Sequence, residues 1–177
     1  MPEINEYGQT VGDALPDWHG ASVLQRTVLE GRWCRLEPLD PERHAADLFD
    51  AYAQADDERD WTWLVSRRPD SVAATFHWLS GKANDDALVP FTVVDIRAER
   101  AVGLVCFMAI EREHGSVEIG HVTWSPRMKN SILGTEAVWL LLRYAFAQGY
   151  RRVEWKCDSL NLASRRAAER QIGRAHV

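Results

Sequence analysis

The sequence has no long hydrophobic run that could cross a membrane. Its most apolar segment, AVWLLLRYAF, is short and is interrupted by Arg143, whereas a membrane-spanning helix needs about 20 apolar residues. The first ten residues, MPEINEYGQT, are polar and acidic and lack the apolar stretch of a secretory signal. We therefore expect a cytoplasmic protein with no membrane partner.

Cysteines are few, and there is no dominant tract of basic residues. Cys34, Cys106 and Cys157 lie far apart and never approach C-x-x-C spacing, which argues against a zinc site or a disulfide framework. The formal net charge of −5 argues against a general nucleic-acid binder. We expect no metal and no nucleic-acid partner, so a small molecule or a peptide is the expected ligand.

The chain has the size and composition of one soluble domain. It has 177 residues, of which 46% are hydrophobic and 27% charged, so it can bury a core without disulfides or metals. Residues 1–25 mix Gly, Pro, Asp and His without a period and predict an irregular N-terminal arm. Residues 26–170 are the predicted domain.

The hydrophobic pattern predicts alternating groups of strands and helices. The predicted elements are, in order, a strand at 32–38, helices starting at 41 and 71, strands at 89–96, 101–110 and 116–124, a helix at 134–148, a strand at 152–158 and a helix from 162. Short turns between the middle strands favour an antiparallel meander. The order implies an α+β fold with helices flanking a mostly antiparallel sheet, which gains a parallel pair where the long helix crosses over.

The segment WSPRMKNSILGTEA, residues 124–137, joins a predicted strand to a predicted helix. Its only glycine is Gly134, although phosphate-binding loops are usually rich in glycine. The first turn of a helix nevertheless offers unsatisfied N–H groups and the positive end of the dipole to a phosphate. In the preceding strand, Gly120 indicates a bulge or a close ligand approach. The segment is therefore either a pyrophosphate-binding site or a connecting loop without a ligand.

Together with GYRRVEWKCDSLNLASRRAAER, these features resemble the GNAT superfamily of acetyl-CoA-dependent N-acetyltransferases. The branch with the most similar pattern contains the ribosomal-protein N-terminal acetyltransferases. The resemblance covers roughly residues 30–170, and its most specific parts are GTEA and N-x-x-S-x-x-x-x-E. It implies a GNAT-like fold and direct acetyl transfer, within a ternary complex, from acetyl-CoA to a primary amine of a peptide N-terminus, an amino acid or a small molecule.

The resemblance also implies which residues bind the cofactor. The family loop has Gln or Arg, two residues, Gly, one residue, then Gly or Ala, and Lys129, Ile132 and Gly134 fall on these three positions. Ile132 departs from the expected glycine. The implied cofactor-binding residues are Val122, Thr123, Trp124, Lys129, Asn130, Ser131, Gly134, Thr135 and Asn161.

Three residues are candidates for the chemistry of acetyl transfer. Glu118 and His121 are titratable and an odd number of residues apart, so they face opposite sides of a regular strand unless Gly120 lies in a bulge. We favour Glu118 as a base acting through water. The resemblance makes Ser164 the proton donor to the coenzyme thiolate, one helical turn after Asn161. Alternatively, Glu118 is a solvated strand residue and His121 is a histidine with satisfied hydrogen bonds on a face of the sheet. Asn161 and Ser164 would then belong to an ordinary helix N-terminus that Asn161 caps.

The C-terminal residues depart from the family pattern. After Arg170 the resemblance predicts Leu-Gly-Phe and a closing pair of strands, but the sequence reads QIGRAHV, most of which a sequencing-adapter stretch would encode. We interpret residues 171–177 as a non-native tail and expect the C-terminal strands to be missing, which puts the activity of this chain in question.

Several alternatives stay open at this stage. A CoA-binding regulatory module without catalysis, or an acyltransferase using another donor such as succinyl-CoA, would share the same sequence features. Trp61, Trp63 and Trp78 are expected to pack in the core, although in this family the region overhangs the acceptor cleft. Both a monomer and a homodimer are compatible with the sequence.

Overall fold

The computed structural model describes residues 3–171. This part contains β1 (Glu3–Ile4), β2 (Thr10–Val11), β3 (Leu29–Glu30), β4 (Cys34–Pro38), α1 (Pro41–Ala53), a short 3-10 helix (Arg59–Trp61), α2 (Val72–Ala83), β5 (Val89–Asp95), β6 (Arg100–Glu111), β7 (Ser116–Trp124), α3 (Ile132–Ala147), β8 (Arg152–Glu154) and α4 (Leu162–Gln171). The last six strands form one sheet in the order β3-β4-β5-β6-β7-β8.

The sheet is antiparallel except for its last pair, in which β7 and β8 run parallel. The parallel pair arises because α3 connects the two strands by a crossover. Two short strands, β1 and β2, form a separate hairpin within the N-terminal arm. The predicted α+β fold with a mostly antiparallel sheet flanked by helices is confirmed.

Two core clusters occupy the two faces of the sheet. The larger lies under α3, and its most buried members include Leu36, Phe91, Phe107, Ile119, Leu140 and Leu141. The smaller lies under α1 and α2 and includes Leu39, Leu48, Tyr52, Trp61, Leu79 and Leu104. From the N-terminal arm, Ala21 and Leu24 are buried in the larger cluster. The sheet therefore separates α3 from the α1–α2 layer.

Most predicted elements begin and end within two residues of their predicted positions, but β8 is an exception. It ends at Glu154 rather than at 158, because its partner strand leaves it at that point. Helix α3 starts at Ile132, two residues before the predicted start. Gln171, assigned to the predicted tail, is the last residue of α4, and residues 172–177 of that tail lie outside the described residues.

A buried carboxylate fixes α3 against the start of β4. Glu136 accepts hydrogen bonds of 2.7 Å from the backbone N–H groups of Arg32, Trp33 and Cys34. Burial alone would raise the pKa of Glu136, but these N–H donors outweigh it and hold the pKa below its usual value. Glu136 therefore holds the N-terminal half of α3 against the chain segment that enters β4.

None of the helices in residues 3–171 combines the length and hydropathy of a transmembrane span.

Candidate active site

A β-bulge interrupts the pairing of β6 with β7. Gly120 pairs with Cys106 and Thr123 pairs with Leu104, so β7 has one more residue than β6 in this interval. The extra residue shifts the alternation of side chains, and His121 takes a positive φ of 50°. The bulge therefore lies at His121, immediately after the glycine that signals it in the sequence.

Gly120 has a steric reason of its own. A Cβ atom at this position would overlap the sulfur of Met108 on the neighbouring strand. The glycine thus permits close packing beside the bulge, while His121 adopts the unusual backbone conformation. Histidine is one of the non-glycine residues that populate this region more often than most.

After Glu118, just before the bulge, β7 and β8 diverge. Their parallel pairing covers only Ser116–Glu118 on β7 and Arg152–Glu154 on β8. A cavity of about 740 Å³ opens between the diverging ends, bounded also by the β7–α3 loop, by α4 and by the segment around the 3-10 helix. No strand within residues 3–171 pairs with β7 on this side after Glu118, so its backbone edge faces the cavity.

The first turn of α3 reaches the cavity without a side-chain cap. Ser131 occupies the cap position but makes no capping bond, and its hydroxyl donates instead to the Met128 carbonyl, at 2.8 Å. By contrast, Asp40 caps α1 and Ser71 caps α2. The N–H groups at the start of α3 are therefore available to an anion.

The loop before α3 packs closely on this turn. Met128 is buried and 1% exposed, and a Cβ atom on Gly134 would lie 3.2 Å from its carbonyl oxygen. Lys129 lies at the cavity wall and forms an ion pair with Asp60 from the 3-10 segment. A cation and a helix N-terminus thus meet at one end of the cavity.

At the opposite wall, the start of α4 presents Asn161 and Ser164. The Asn161 side-chain oxygen accepts a hydrogen bond of 3.1 Å from the Ser164 N–H and caps the helix. The Trp155 indole N–H donates to the Ser164 hydroxyl oxygen at 2.9 Å. This bond occupies a lone pair of the serine and leaves its proton free to be donated into the cavity.

The two titratable candidates on β7 have different surroundings. His121 lines the cavity, and its Nδ1 lies 3.0 Å from Nζ of Lys82 in α2. Burial, followed by the nearby lysine charge, lowers the pKa of His121. Glu118 is 8% exposed, pairs with Lys156 at 2.8 Å and is not among the residues that line the cavity.

The predicted site residues otherwise come together. His121, Ser164 and all of the predicted cofactor-binding residues line this one cavity, namely Val122, Thr123, Trp124, Lys129, Asn130, Ser131, Gly134, Thr135 and Asn161. Ile132, at the position where the family pattern has glycine, lies on the same wall and is 50% exposed.

Other residues at the site have little signal in the sequence. Trp155, predicted only as a strand residue, orients Ser164, and Asp60 pairs with Lys129. Trp61 and Trp63, expected in the core, line the cavity, although Trp61 is also buried against Tyr52 and Trp78. Only the tertiary structure brings these residues beside β7, since they come from distant segments.

The described residues offer no evident metal site. No group of three His, Cys, Asp or Glu side chains in residues 3–171 is arranged to hold a metal ion.

Two solved structures similar to this chain are described as acetyltransferases of one family. A GCN5-related N-acetyltransferase from Brucella melitensis is 37% identical with a TM-score of 0.85, over 88% of this chain and 71% of that one. A protein from Chromobacterium violaceum ATCC 12472, described as a probable GNAT-family acetyltransferase, is 36% identical with a TM-score of 0.81, over 89% and 79%.

A ribosomal-protein-S5-alanine acetyltransferase from Vibrio fischeri shares the fold at 14% identity, with a TM-score of 0.62 over 82% of this chain and 81% of that one. No curated protein sequence matches the chain. The family model of the acetyltransferase (GNAT) domain matches residues 34–171. This chain therefore belongs to the GNAT acetyltransferase family.

Proposed function

We propose that this protein transfers an acetyl group from acetyl-CoA to a primary amine, with both substrates bound at once. The observation that carries the proposal is the opening between β7 and β8, which connects the bulge at His121 to the uncapped start of α3. An extended, amide-containing molecule that ends in a pyrophosphate complements both features.

Acetyl-CoA fits the residues that are present. The free edge of β7 from Ile119 to Trp124 offers backbone N–H and C=O groups to the pantetheine amides. The N–H groups from Ile132 to Gly134 and the ammonium of Lys129 suit the pyrophosphate. Ile132 retains its backbone donor, so the departure from glycine does not remove the contact.

The reaction needs a carbonyl that is polarised, an amine that is free of its extra proton and a thiolate that is protonated. In this proposal the backbone N–H of Val122, beside the bulge, polarises the carbonyl, because the N–H of Thr123 pairs with Leu104 of β6. In this proposal Ser164 donates a proton to the thiolate, and the bond from Trp155 to its hydroxyl oxygen, which leaves the hydroxyl proton free, supports that role.

For the base, His121 is a better candidate than Glu118. His121 lines the cavity, whereas Glu118 lies behind the wall and is paired with Lys156. Glu118 could act only through water, which was the role expected from the sequence. The lowered pKa of His121 keeps its imidazole neutral near pH 7, and a neutral imidazole accepts a proton only at the ring nitrogen that carries none.

The acceptor is proposed by chemical class. Trp61, Trp63 and Leu64 form an apolar part of the cavity wall, which suits a small molecule or a short peptide that presents a primary amine. The Vibrio fischeri neighbour acts on a ribosomal-protein alanine, and a peptide N-terminus is accordingly one of the acceptors to test first.

The test is release of CoA thiol from acetyl-CoA with a panel of amines: peptides with free N-termini, amino acids and polyamines. Mass spectrometry of the amine identifies the acetylated product, and Ser164→Ala is expected to lower kcat about 100-fold with little change in CoA affinity. Tight CoA binding without thiol release from any amine would instead support a binding module. Faster release from succinyl-CoA would indicate a different acyl donor.

A further inference from the structure

Two basic side chains from different elements meet at the bulge. Lys82, near the end of α2, places its Nζ 3.0 Å from Nδ1 of His121. The same Nζ lies 5.3 Å from the centre of the Trp78 ring. Neither basic group has a carboxylate partner among the ion pairs of residues 3–171, which is unusual for a half-buried lysine.

The backbone turns His121 so that its two ring nitrogens have different surroundings. Its positive φ of 50° takes the side chain out of the regular strand alternation. Nδ1 then contacts Lys82, while Nε2 has no hydrogen-bond partner among residues 3–171 and His121 lines the cavity. One nitrogen therefore faces the lysine and the other is available to a substrate.

This arrangement can pass a proton from the cavity, through His121, to Lys82. We infer that Lys82 and His121 form a relay, in which His121 takes a proton from the acceptor ammonium at Nε2 and passes its Nδ1 proton to Lys82. The inference rests on the proposed acetyltransferase function. Lys82 acts through His121, since it is not among the residues that line the cavity.

The proton balance is as follows. In the accepting form, Lys82 is a neutral amine and His121 carries its ring proton on Nδ1. The ammonium N–H bond breaks, its electron pair stays on the acceptor nitrogen, and the proton bonds to Nε2 while the Nδ1 proton bonds to Nζ. Acetylation of an ammonium by acetyl-CoA yields an amide, a CoA thiol and one proton. Lys82 holds that proton until solvent removes it.

Burial of the pair favours the neutral forms that this relay needs, and the nearby carboxylates oppose them. Burial lowers the pKa of Lys82, while Asp85, in the loop after α2, opposes this shift. Burial and the Lys82 charge lower the pKa of His121, and Asp85 and Glu118 oppose this. Cys106 of β6 also faces Lys82, but burial raises the pKa of its thiol to about 12, so it is uncharged near neutral pH.

The first test needs no substrate. In ¹⁵N NMR of the free protein, His121 should change from the Nε2–H tautomer to the Nδ1–H tautomer when Lys82 loses its proton at alkaline pH. Lys82→Met should abolish this change, and Lys82→Arg should hold the Nε2–H tautomer across the range because arginine keeps its proton. A change that survives in Lys82→Met, or no change in the wild type, would overturn the relay.

The second test uses the pH profile of kcat/KM with the acceptor found in the amine panel. In Lys82→Met, His121 acts alone, so the rise in kcat/KM should move to lower pH and kcat should fall about tenfold. Lys82→Arg should lose about 100-fold because its guanidinium blocks Nδ1. A merely structural lysine predicts the reverse order, with arginine retaining more activity than methionine.

His77→Gln is a matched control. His77 is exposed on the same helix, so the substitution should leave both the His121 titration and the pH profile unchanged. If the wild type binds acetyl-CoA but acetylates no amine, the proposed function fails while the NMR result still decides the relay. If Lys82→Met is fully active with an unchanged profile, the relay fails and the proposed function stands.

Discussion

The hydroxyl of Tyr52 in α1 donates a hydrogen bond of 3.2 Å to the carbonyl oxygen of Thr123 in β7. This bond joins the helical layer to the residue that follows the bulge. Within the bulge, the Thr123 hydroxyl donates to the His121 carbonyl at 3.1 Å. The two bonds together fix the backbone that faces the cavity.

Tyr52→Phe should therefore loosen the bulge without disturbing the core. The Tyr52 ring packs against Trp61 and Trp78, and phenylalanine keeps those contacts but removes the hydrogen bond to the Thr123 carbonyl. We expect the free energy of unfolding to fall by about 1 kcal/mol and kcat to fall more than CoA affinity. Denaturant unfolding and kinetics measure the two effects, and an unchanged kcat would show that the bond has no role in positioning β7.

Comparison of His121→Gly with His121→Ala should measure the free-energy cost of the backbone conformation at this position. A φ of 50° is unfavourable for alanine but not for glycine. His121→Gly should therefore be more stable than His121→Ala by about 1 kcal/mol, although both should lose activity. Equal stability of the two variants would mean that the bulge relaxes once the imidazole is removed.

Glu136 should account for part of the loss of stability as the pH falls below 4.5. Its folded-state pKa lies below the unfolded value of 4.5, so its contribution is fully present above pH 4.5 and is lost as the pH falls through the lowered folded pKa. Glu136→Gln should reduce the free energy of unfolding at pH 7 by about 3 kcal/mol. It should also flatten the acid dependence.

Glu30→Gln is the control for this measurement, because Glu30 is exposed in the adjacent strand β3. Its unfolding free energy should match that of the wild type from pH 7 down to acid. If both glutamine variants behave alike, the three backbone bonds to Glu136 are not the source of the acid sensitivity.

Asp60 should compete with CoA for Lys129. The two side chains form an ion pair at the cavity wall, and a partly exposed pair of this kind contributes only about 0.5 kcal/mol. Asp60→Asn should therefore increase CoA affinity about twofold or more, and Lys129→Ala should decrease it about tenfold. Calorimetry at two salt concentrations measures both, with Arg166→Ala in α4 as an exposed, cationic control.

If Lys129→Ala and Asp60→Asn both leave CoA affinity unchanged, the loop before α3 does not bind the pyrophosphate. A larger residue at Gly134 gives an independent check, because the Met128 carbonyl lies 3.2 Å from the position of its Cβ. Gly134→Val should weaken CoA binding through displacement of the first turn of α3. An unchanged CoA affinity in Gly134→Val would mean that the loop only connects β7 to α3.

Much of the fold could be predicted because its local signals agree. The sequence predicts helices that start at 41 and 71 and a cap at Asn161, and the side chains of Asp40, Ser71 and Asn161 cap these helices. The hydrophobic pattern and the turn-like segment before it predict β7 correctly to both ends, Ser116 and Trp124. Such signals act between residues a few positions apart, so the sequence displays them directly.

The site could be predicted only in part. Its cofactor-side residues follow one another along β7, the loop and α3, and the family pattern identifies them together. The partners of these residues come from elsewhere: Lys82 from α2, Asp60 from the 3-10 segment and Trp155 from the end of β8. Nothing in their own local sequence distinguishes them from surface or core residues.

By itself the sequence determined the order of the elements from β4 to α4, apart from the 3-10 helix, and the family, because periodicity, capping residues and a contiguous motif are local properties of the chain. The tertiary structure alone decided that the bulge lies at His121, that Glu118 forms an ion pair with Lys156 and that Lys82 contacts His121. Those outcomes depend on strand register and on packing between distant segments, which no single stretch of residues specifies.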